Sequence, residues 1–116
     1  MIRLARARLA FGFLLLLCAL SAWAQVAVPE LTRRVTDLTA TLDAAQVAAL
    51  EGKLAAFEAQ QGSQIAVLIV PTTQPEDIAQ FGIRVAEHWK IGRAKIDDGV
   101  ILIVAKDDRT LRLEIG

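Results

Sequence analysis

Two adjacent acids precede a solid apolar stretch near the end of this chain of 116 residues. Asp97 and Asp98 are followed by Gly99 and then by the run 100–105. Carboxylate oxygens are the ligands that Ca²⁺ and Mg²⁺ prefer, and a glycine allows a sharp backbone turn beside them. Two acids supply only part of the roughly six to eight oxygens around Ca²⁺, and Asp-Gly is also typical of a turn that leads into a strand. The sequence therefore predicts either a divalent-cation site at Asp97 and Asp98 or a structural turn at Gly99.

A second group of polar side chains follows the predicted strands. Its members are Asp37, Thr72, Thr73, Asp107 and Asp108. They share one edge of the sheet if the first strand runs parallel to the next, and ligand sites in such sheets usually form at the carboxyl edge. Asp97 and Asp98 precede a strand and belong to the other edge. Asp37 is therefore a candidate third metal ligand only if its linker crosses the sheet, and both edges stay open as the site.

The other polar candidates point less clearly to a reaction. Arg109 and Arg112 could bind a phosphate through paired hydrogen bonds, but charges in a hairpin turn are usually solvated. His88 at a helix end is typical of a surface histidine stabilised by the helix dipole. The sequence holds no nucleophile–base pair and no phosphate-binding loop. Whether the protein is an enzyme is left open.

Residues 1–24 have the pattern of a signal peptide. Three arginines at positions 3, 6 and 8 precede an apolar stretch over 9–20, and Ala22-Trp23-Ala24 is the small-x-small pattern of a cleavage site before Gln25. The apolar stretch is shorter than the roughly 20 residues that a spanning helix needs. We therefore expect an extracytoplasmic protein that is periplasmic, secreted or membrane-anchored outside the cytoplasm.

The charge and the cysteine content of the predicted mature chain argue against some classes of partner and against thiol chemistry. Its precursor has 13 basic and 13 acidic residues, and removal of the three arginines in residues 1–24 leaves ten basic ones. A slightly acidic chain gives no electrostatic reason to bind nucleic acid or an anionic membrane. The one cysteine, Cys18, lies in the predicted signal segment. Residues 25–33 are predicted to be a leader, and residues 34–116 one small domain stabilised by its core.

Two amphipathic helices are predicted from apolar residues at helical spacing. The first begins at Asp43, where Gln46 completes a capping box, and ends at Gly62; we expect it to bury one face. The second opens with Pro75, Glu76 and Asp77 and runs to about Trp89, which we expect in the core.

Strands alternate with these helices. Extended segments are predicted at 35–37, 64–70 and 100–105, and a polar turn at 106–109 leads into a half-exposed antiparallel strand with Leu111, Leu113 and Ile115 on one side. The segments 64–70 and 100–105 are apolar at almost every position, which predicts strands covered on both faces, with Leu102 at the centre of the second. This alternation predicts an α/β fold class in which the strands at 64–70 and 100–105 run side by side and parallel, followed by a C-terminal β-hairpin.

An ordered set of segments resembles the TPM domain family. The segments are Val35-Thr36-Asp37, QIAVLIV at 64–70, Trp89-Lys90-Ile91-Gly92-Arg93, DDGVILIVA at 97–105 and DDRTLRLEIG at 107–116. That family includes the thylakoid-lumen acid phosphatase, the photosystem II repair protein, a nematode receptor modulator and many bacterial exported proteins. The Gly-Tyr-Gly-like segment that the family carries next is missing after Gly116. The resemblance therefore implies an N-terminal fragment of a bacterial exported member, with its domain incomplete at the C-terminal end.

The resemblance implies a three-layer α/β/α sandwich with a mixed, mostly parallel central sheet and a C-terminal β-hairpin. It also implies functions that the residues alone do not. It implies divalent-cation binding (Ca²⁺ or Mg²⁺), as in some members, and acid-phosphatase activity, as in the plant branch. In bacterial relatives a transmembrane helix often follows the domain, so we expect that a segment beyond Gly116 could anchor this chain. We expect a cell-envelope domain that binds a divalent cation and serves interaction or assembly with envelope proteins. A metal-assisted acid phosphatase and a purely structural interaction domain are the alternatives.

Overall fold

The computed structural model describes residues 25–91 and 98–116, so the predicted signal segment and Asp97 lie outside the described residues. The elements along the described chain are β1 (Val35–Asp37), α1 (Ala44–Gln61), β2 (Gln64–Val70), α2 (Ile78–Trp89), β3 (Gly99–Ala105) and β4 (Thr110–Ile115). The strands form one sheet in the order β1-β2-β3-β4, in which the first three are parallel and β4 is antiparallel to β3. The α/β fold with a mixed, mostly parallel sheet and a C-terminal hairpin is therefore confirmed.

Local sequence signals set both ends of α1. The Asp43 carboxylate accepts a hydrogen bond from the Gln46 N–H (2.7 Å), and the Gln46 side chain accepts one from the Asp43 N–H (3.0 Å). This reciprocal pair is the predicted capping box. Gly62 ends the helix in the left-handed region with φ 77°, and its N–H donates to the Glu58 carbonyl.

The second helix begins later than predicted. Asp77 is extended (φ −72°, ψ 160°), and its carboxylate accepts a hydrogen bond from the Gln80 N–H at 2.8 Å. Asp77 is therefore the N-cap, and the expected opening at Pro75 is wrong because the capping carboxylate starts the helix at Ile78. The predicted end at Trp89 is confirmed.

The main core lies between α2 and one face of the sheet. It is formed by Ala66, Leu68, Val70, Phe81, Val85, Trp89, Ile101, Ile103 and Ala105. The leader packs against the same core, because the Trp89 indole N–H donates to the Pro29 carbonyl (2.7 Å) and an Arg84 N–H donates to the Val26 carbonyl (2.8 Å). The expected core position of Trp89 is confirmed.

The opposite face of the sheet is covered only in part. The helix α1 lies over β1 and β2, where Val35, Val67 and Ile69 are buried. No residue of α1 is itself buried, and Phe57 is 42% exposed. The expected buried face of α1 is therefore wrong: its apolar stripe is half-buried, because the helix rests on a strand of only three residues at the sheet edge.

The hairpin strand β4 is half-exposed, as predicted, and its exposed side is the apolar one. Leu111, Leu113 and Ile115 are 67%, 55% and 75% exposed, whereas Arg112 and Glu114 lie beneath α2 and pair with each other. Gly82 leaves room for that pair, since a Cβ there would lie 2.6 Å from the Glu114 Oε1. The neighbouring Leu102 of β3 is half-buried, so the prediction that this strand is covered on both faces is wrong.

Candidate functional site

The predicted cation site lies where β3 begins, at the amino edge of the sheet. The Asp98 carbonyl accepts a hydrogen bond from the Gln64 N–H at 3.3 Å. Gly99 is the first residue of β3, and its carbonyl accepts one from the Gly116 N–H at 2.9 Å. Asp97 lies outside the described residues. Within residues 25–91 and 98–116, no three His, Cys, Asp or Glu side chains are grouped as a metal site would need.

Asp37 lies at the other edge of the sheet. It ends β1, which runs parallel to β2 and hence to β3, whereas Asp98 precedes β3. One Asp37 carboxylate oxygen accepts from the Thr39 N–H (2.9 Å) and hydroxyl (2.7 Å), and the other from the Leu42 N–H (2.8 Å). Burial raises the pKa of Asp37, but these hydrogen bonds outweigh it, so the pKa is lowered overall. The structure does not bring Asp37 and Asp98 together.

The carboxyl edge does collect the second predicted group. Both Asp108 carboxylate oxygens accept from the Thr72 hydroxyl at 2.9 Å, and one also accepts from the Thr73 N–H at 3.1 Å. The Thr73 hydroxyl donates to the Glu76 carbonyl, and the Asp107 N–H donates to the Pro71 carbonyl. These hydrogen bonds join the β3–β4 turn to the end of β2. In the described structure, this group therefore stabilises the fold.

Two of the three basic candidates also have protein partners. Arg112 is paired with Glu114, while Arg109 lies in the turn with a left-handed backbone (φ 54°). His88 lies in the last turn of α2 with its Nε2 at 3.3 Å from a Glu30 carboxylate oxygen of the leader. The structure thus gives Arg112 and His88 contacts within the fold.

A cleft with a volume of about 1040 Å³ lies at the outer edge of β1. We call it the β1–α1 cleft. It is lined by residues 32–38 along the strand, by Ala40 and Leu42 of the following loop, and by Ala44, Val47, Ala48 and Glu51 of α1. Leu38 is 53% exposed within it. No sequence pattern predicts this cleft, because it depends on the tertiary placement of α1 against β1.

A carboxylate ties the two walls of the cleft together. Glu51 of α1 accepts hydrogen bonds from the Arg34 N–H (3.0 Å) and the Val35 N–H (2.9 Å). The Arg34 guanidinium reaches both Glu51 (3.3 Å) and Glu58 (2.6 Å). Burial raises the pKa of Glu51, but the two backbone bonds and the guanidinium outweigh it, so the pKa is lowered overall. The cleft therefore has a fixed, charged junction at one end of β1.

A second apolar surface lies on the bare half of the sheet. It consists of Val100, Leu102, Val104, Leu111, Leu113 and Ile115, and we call it the β3–β4 face. The residues pair across the two strands, Val100 with Ile115, Leu102 with Leu113 and Val104 with Leu111. The alternation of Leu111, Leu113 and Ile115 with charged residues was the sequence signal for this face.

No helix in the described part of the chain is both long and apolar enough to cross a membrane.

Comparisons with known proteins agree with the fold. The family model of the TPM domain matches residues 35–116. The solution NMR structure of the N-terminal domain of a protein from P. gingivalis is similar over 77% of this chain, with 30% sequence identity and a TM-score of 0.67. The chain spans 60% of the length of that solved chain. No protein of curated function matches the sequence.

Proposed function

This chain belongs to the TPM domain family, and we propose that it is an exported interaction module that holds a segment of a partner envelope protein in the β1–α1 cleft. The observation that carries the proposal is the cleft itself, about 1040 Å³ between an edge strand and a helix. Ligand sites are typically concave and mostly apolar, with a few fixed polar groups. The exported location rests on the signal-peptide pattern of residues 1–24.

Two features support binding in this cleft. Its lining mixes apolar side chains, including Leu38, Leu42 and Val47, with the main chain of an edge strand. Edge strands offer unpaired main-chain groups to another polypeptide. The fixed Glu51–Arg34 junction holds both walls in place before a partner arrives, which lowers the entropy lost on binding.

Site-specific photo-crosslinking in the cell envelope tests this function. A photoreactive residue at position 48, in the cleft, is compared with one at position 56, an exposed alanine of the same helix outside the cleft. We expect position 48 alone to give an adduct with one protein, mapped by mass spectrometry to one segment. A bulky Ala44→Arg substitution at the cleft wall should abolish that adduct. Equal adducts from both positions, or no adduct from position 48, would contradict the proposal.

Divalent-cation binding at Asp97 and Asp98 is a separate proposal, supported by two adjacent carboxylates beside Gly99. The alternative of a metal-assisted phosphatase is supported by the family resemblance. In that reaction a bound cation would neutralise phosphate oxygens and activate a water molecule. The test of cation binding is independent of the cleft, because Asp98 precedes β3 and so lies at the opposite edge of the sheet from Asp37.

A further inference from the structure

We propose that the segment held in the β1–α1 cleft is an extended peptide. It adds to β1 as an antiparallel strand and places its C-terminal carboxylate at Arg33. This inference rests on the proposed function and names the chemistry of the partner. Strand addition to a sheet edge derives affinity from main-chain hydrogen bonds and specificity from alternate side chains.

In the part of the chain that the structure describes, β1 is an edge strand with no strand paired on its outer side. The Arg34 carbonyl accepts from the Val67 N–H (2.7 Å) and the Leu38 N–H donates to the Ile69 carbonyl (2.9 Å), so alternate residues face β2. The residues between them, Val35 and Asp37, turn their main-chain groups toward the cleft. The Val35 N–H is already bound by Glu51. Among residues 25–91 and 98–116, the Val35 carbonyl and both main-chain groups of Asp37 have no main-chain partner outside the sheet, so an added strand can pair with them.

The side of α1 that faces the outer edge of β1 leaves space for an added strand. Glu51 and Glu58 reach Arg34, which fixes the side of α1 that overhangs β1. Ala44 and Ala48 lie on the same overhanging side, and their small side chains line the cleft. Strands in a sheet are about 4.8 Å apart, so an added strand would lie beneath these alanines. Its inward side chains would meet Leu42 and Val47.

Charge sets the direction of the peptide. Arg34 is compensated by Glu51 and Glu58, whereas Arg33 lines the cleft and makes no ion pair with any residue in 25–91 or 98–116. Arg33 precedes β1, so a peptide whose terminal carboxylate binds there runs antiparallel to the strand. An arginine binds a carboxylate through paired, charge-assisted hydrogen bonds. A helical ligand would not reach the outward main chain of β1, which is why the geometry favours an extended one.

A displayed library of random peptides with free C-terminal carboxylates provides the probe. The purified chain is compared with Arg33→Glu and with Lys53→Glu, which makes the same charge change on the exposed side of α1. We expect the chain and Lys53→Glu to enrich the same peptides, and Arg33→Glu to bind a selected peptide at least about tenfold more weakly. Amidation of the peptide C-terminus should have a similar effect on wild-type binding. The bound peptide should slow hydrogen exchange of the Asp37 N–H.

Three results would overturn the inference: no enriched peptide, equal binding by Arg33→Glu, or protection of β4 instead of Asp37. The outcomes also separate this inference from the proposed function. Peptide binding in vitro without position-48 adducts in the envelope would contradict the proposed function but would still support strand addition in the cleft. Position-48 adducts to a segment that binds as a helix would retire strand addition alone.

Discussion

Replacing Ile103 by alanine is expected to lower the free energy of unfolding by about 2–4 kcal/mol. Ile103 is fully buried in the core beneath α2. The substitution removes three carbon atoms, each contributing about 0.8 kcal/mol by its burial, and leaves a cavity that adds to the loss. Ile103→Val removes one carbon and should cost about 0.5–1.5 kcal/mol.

Leu113→Ala is the matched control, because Leu113 lies on the adjacent strand but is 55% exposed on the β3–β4 face. It should change stability by less than about 1 kcal/mol. Urea unfolding of the purified chain, followed by circular dichroism, gives the midpoint and slope for each variant. Equal losses for Ile103→Ala and Leu113→Ala would refute the assignment of the buried and bare faces of the sheet.

The remaining predictions concern pH, cations and export. The pKa values of Asp37 and Glu51 are lowered in the folded chain from their ordinary 3.8 and 4.5. These two carboxylates therefore stabilise the fold at a pH above their ordinary pKa values, and that stabilisation is lost as the pH falls through the lower folded values. A melting temperature that stays constant from about pH 5 to pH 3 would contradict this. If Asp97 and Asp98 bind Ca²⁺ or Mg²⁺, millimolar cation should raise the melting temperature, and the double Asp→Asn variant should lose that increment. If calorimetry detects no cation binding at millimolar concentration, both the cation site and the metal-assisted phosphatase are excluded. Mass spectrometry of exported protein should find Gln25 at the N-terminus, whereas intact Met1 in the membrane fraction would exclude cleavage.

The elements were predictable because their signals are local. The capping box of Asp43 and Gln46 and the left-handed Gly62 depend on residues next to each other in the chain. The carboxyl-edge position of Asp108 and Thr72 followed from strand direction alone, and the structure joins these two side chains by hydrogen bonds. Local patterning therefore predicted the parallel pair β2 and β3, the β3–β4 hairpin and the edge on which Thr72 and Asp108 lie, whereas the direction of β1 stayed open.

The choice of face in β4 was not predictable from alternation. A period of two places Leu113 on one side and Arg112 on the other, but does not say which side meets a helix. Here Arg112 and Glu114 pair with each other beneath Gly82, a contact between segments about 30 residues apart. The β1–α1 cleft likewise depends on tertiary placement, because α1 is held over the sheet edge by Glu51 and Glu58.

The nuclear Overhauser contacts of a selected peptide with methyl-labelled chain test the central claim most directly. The account predicts contacts to the Leu38, Leu42 and Val47 methyl groups of the β1–α1 cleft. Contacts to Leu111 and Leu113 of the β3–β4 face instead would contradict it.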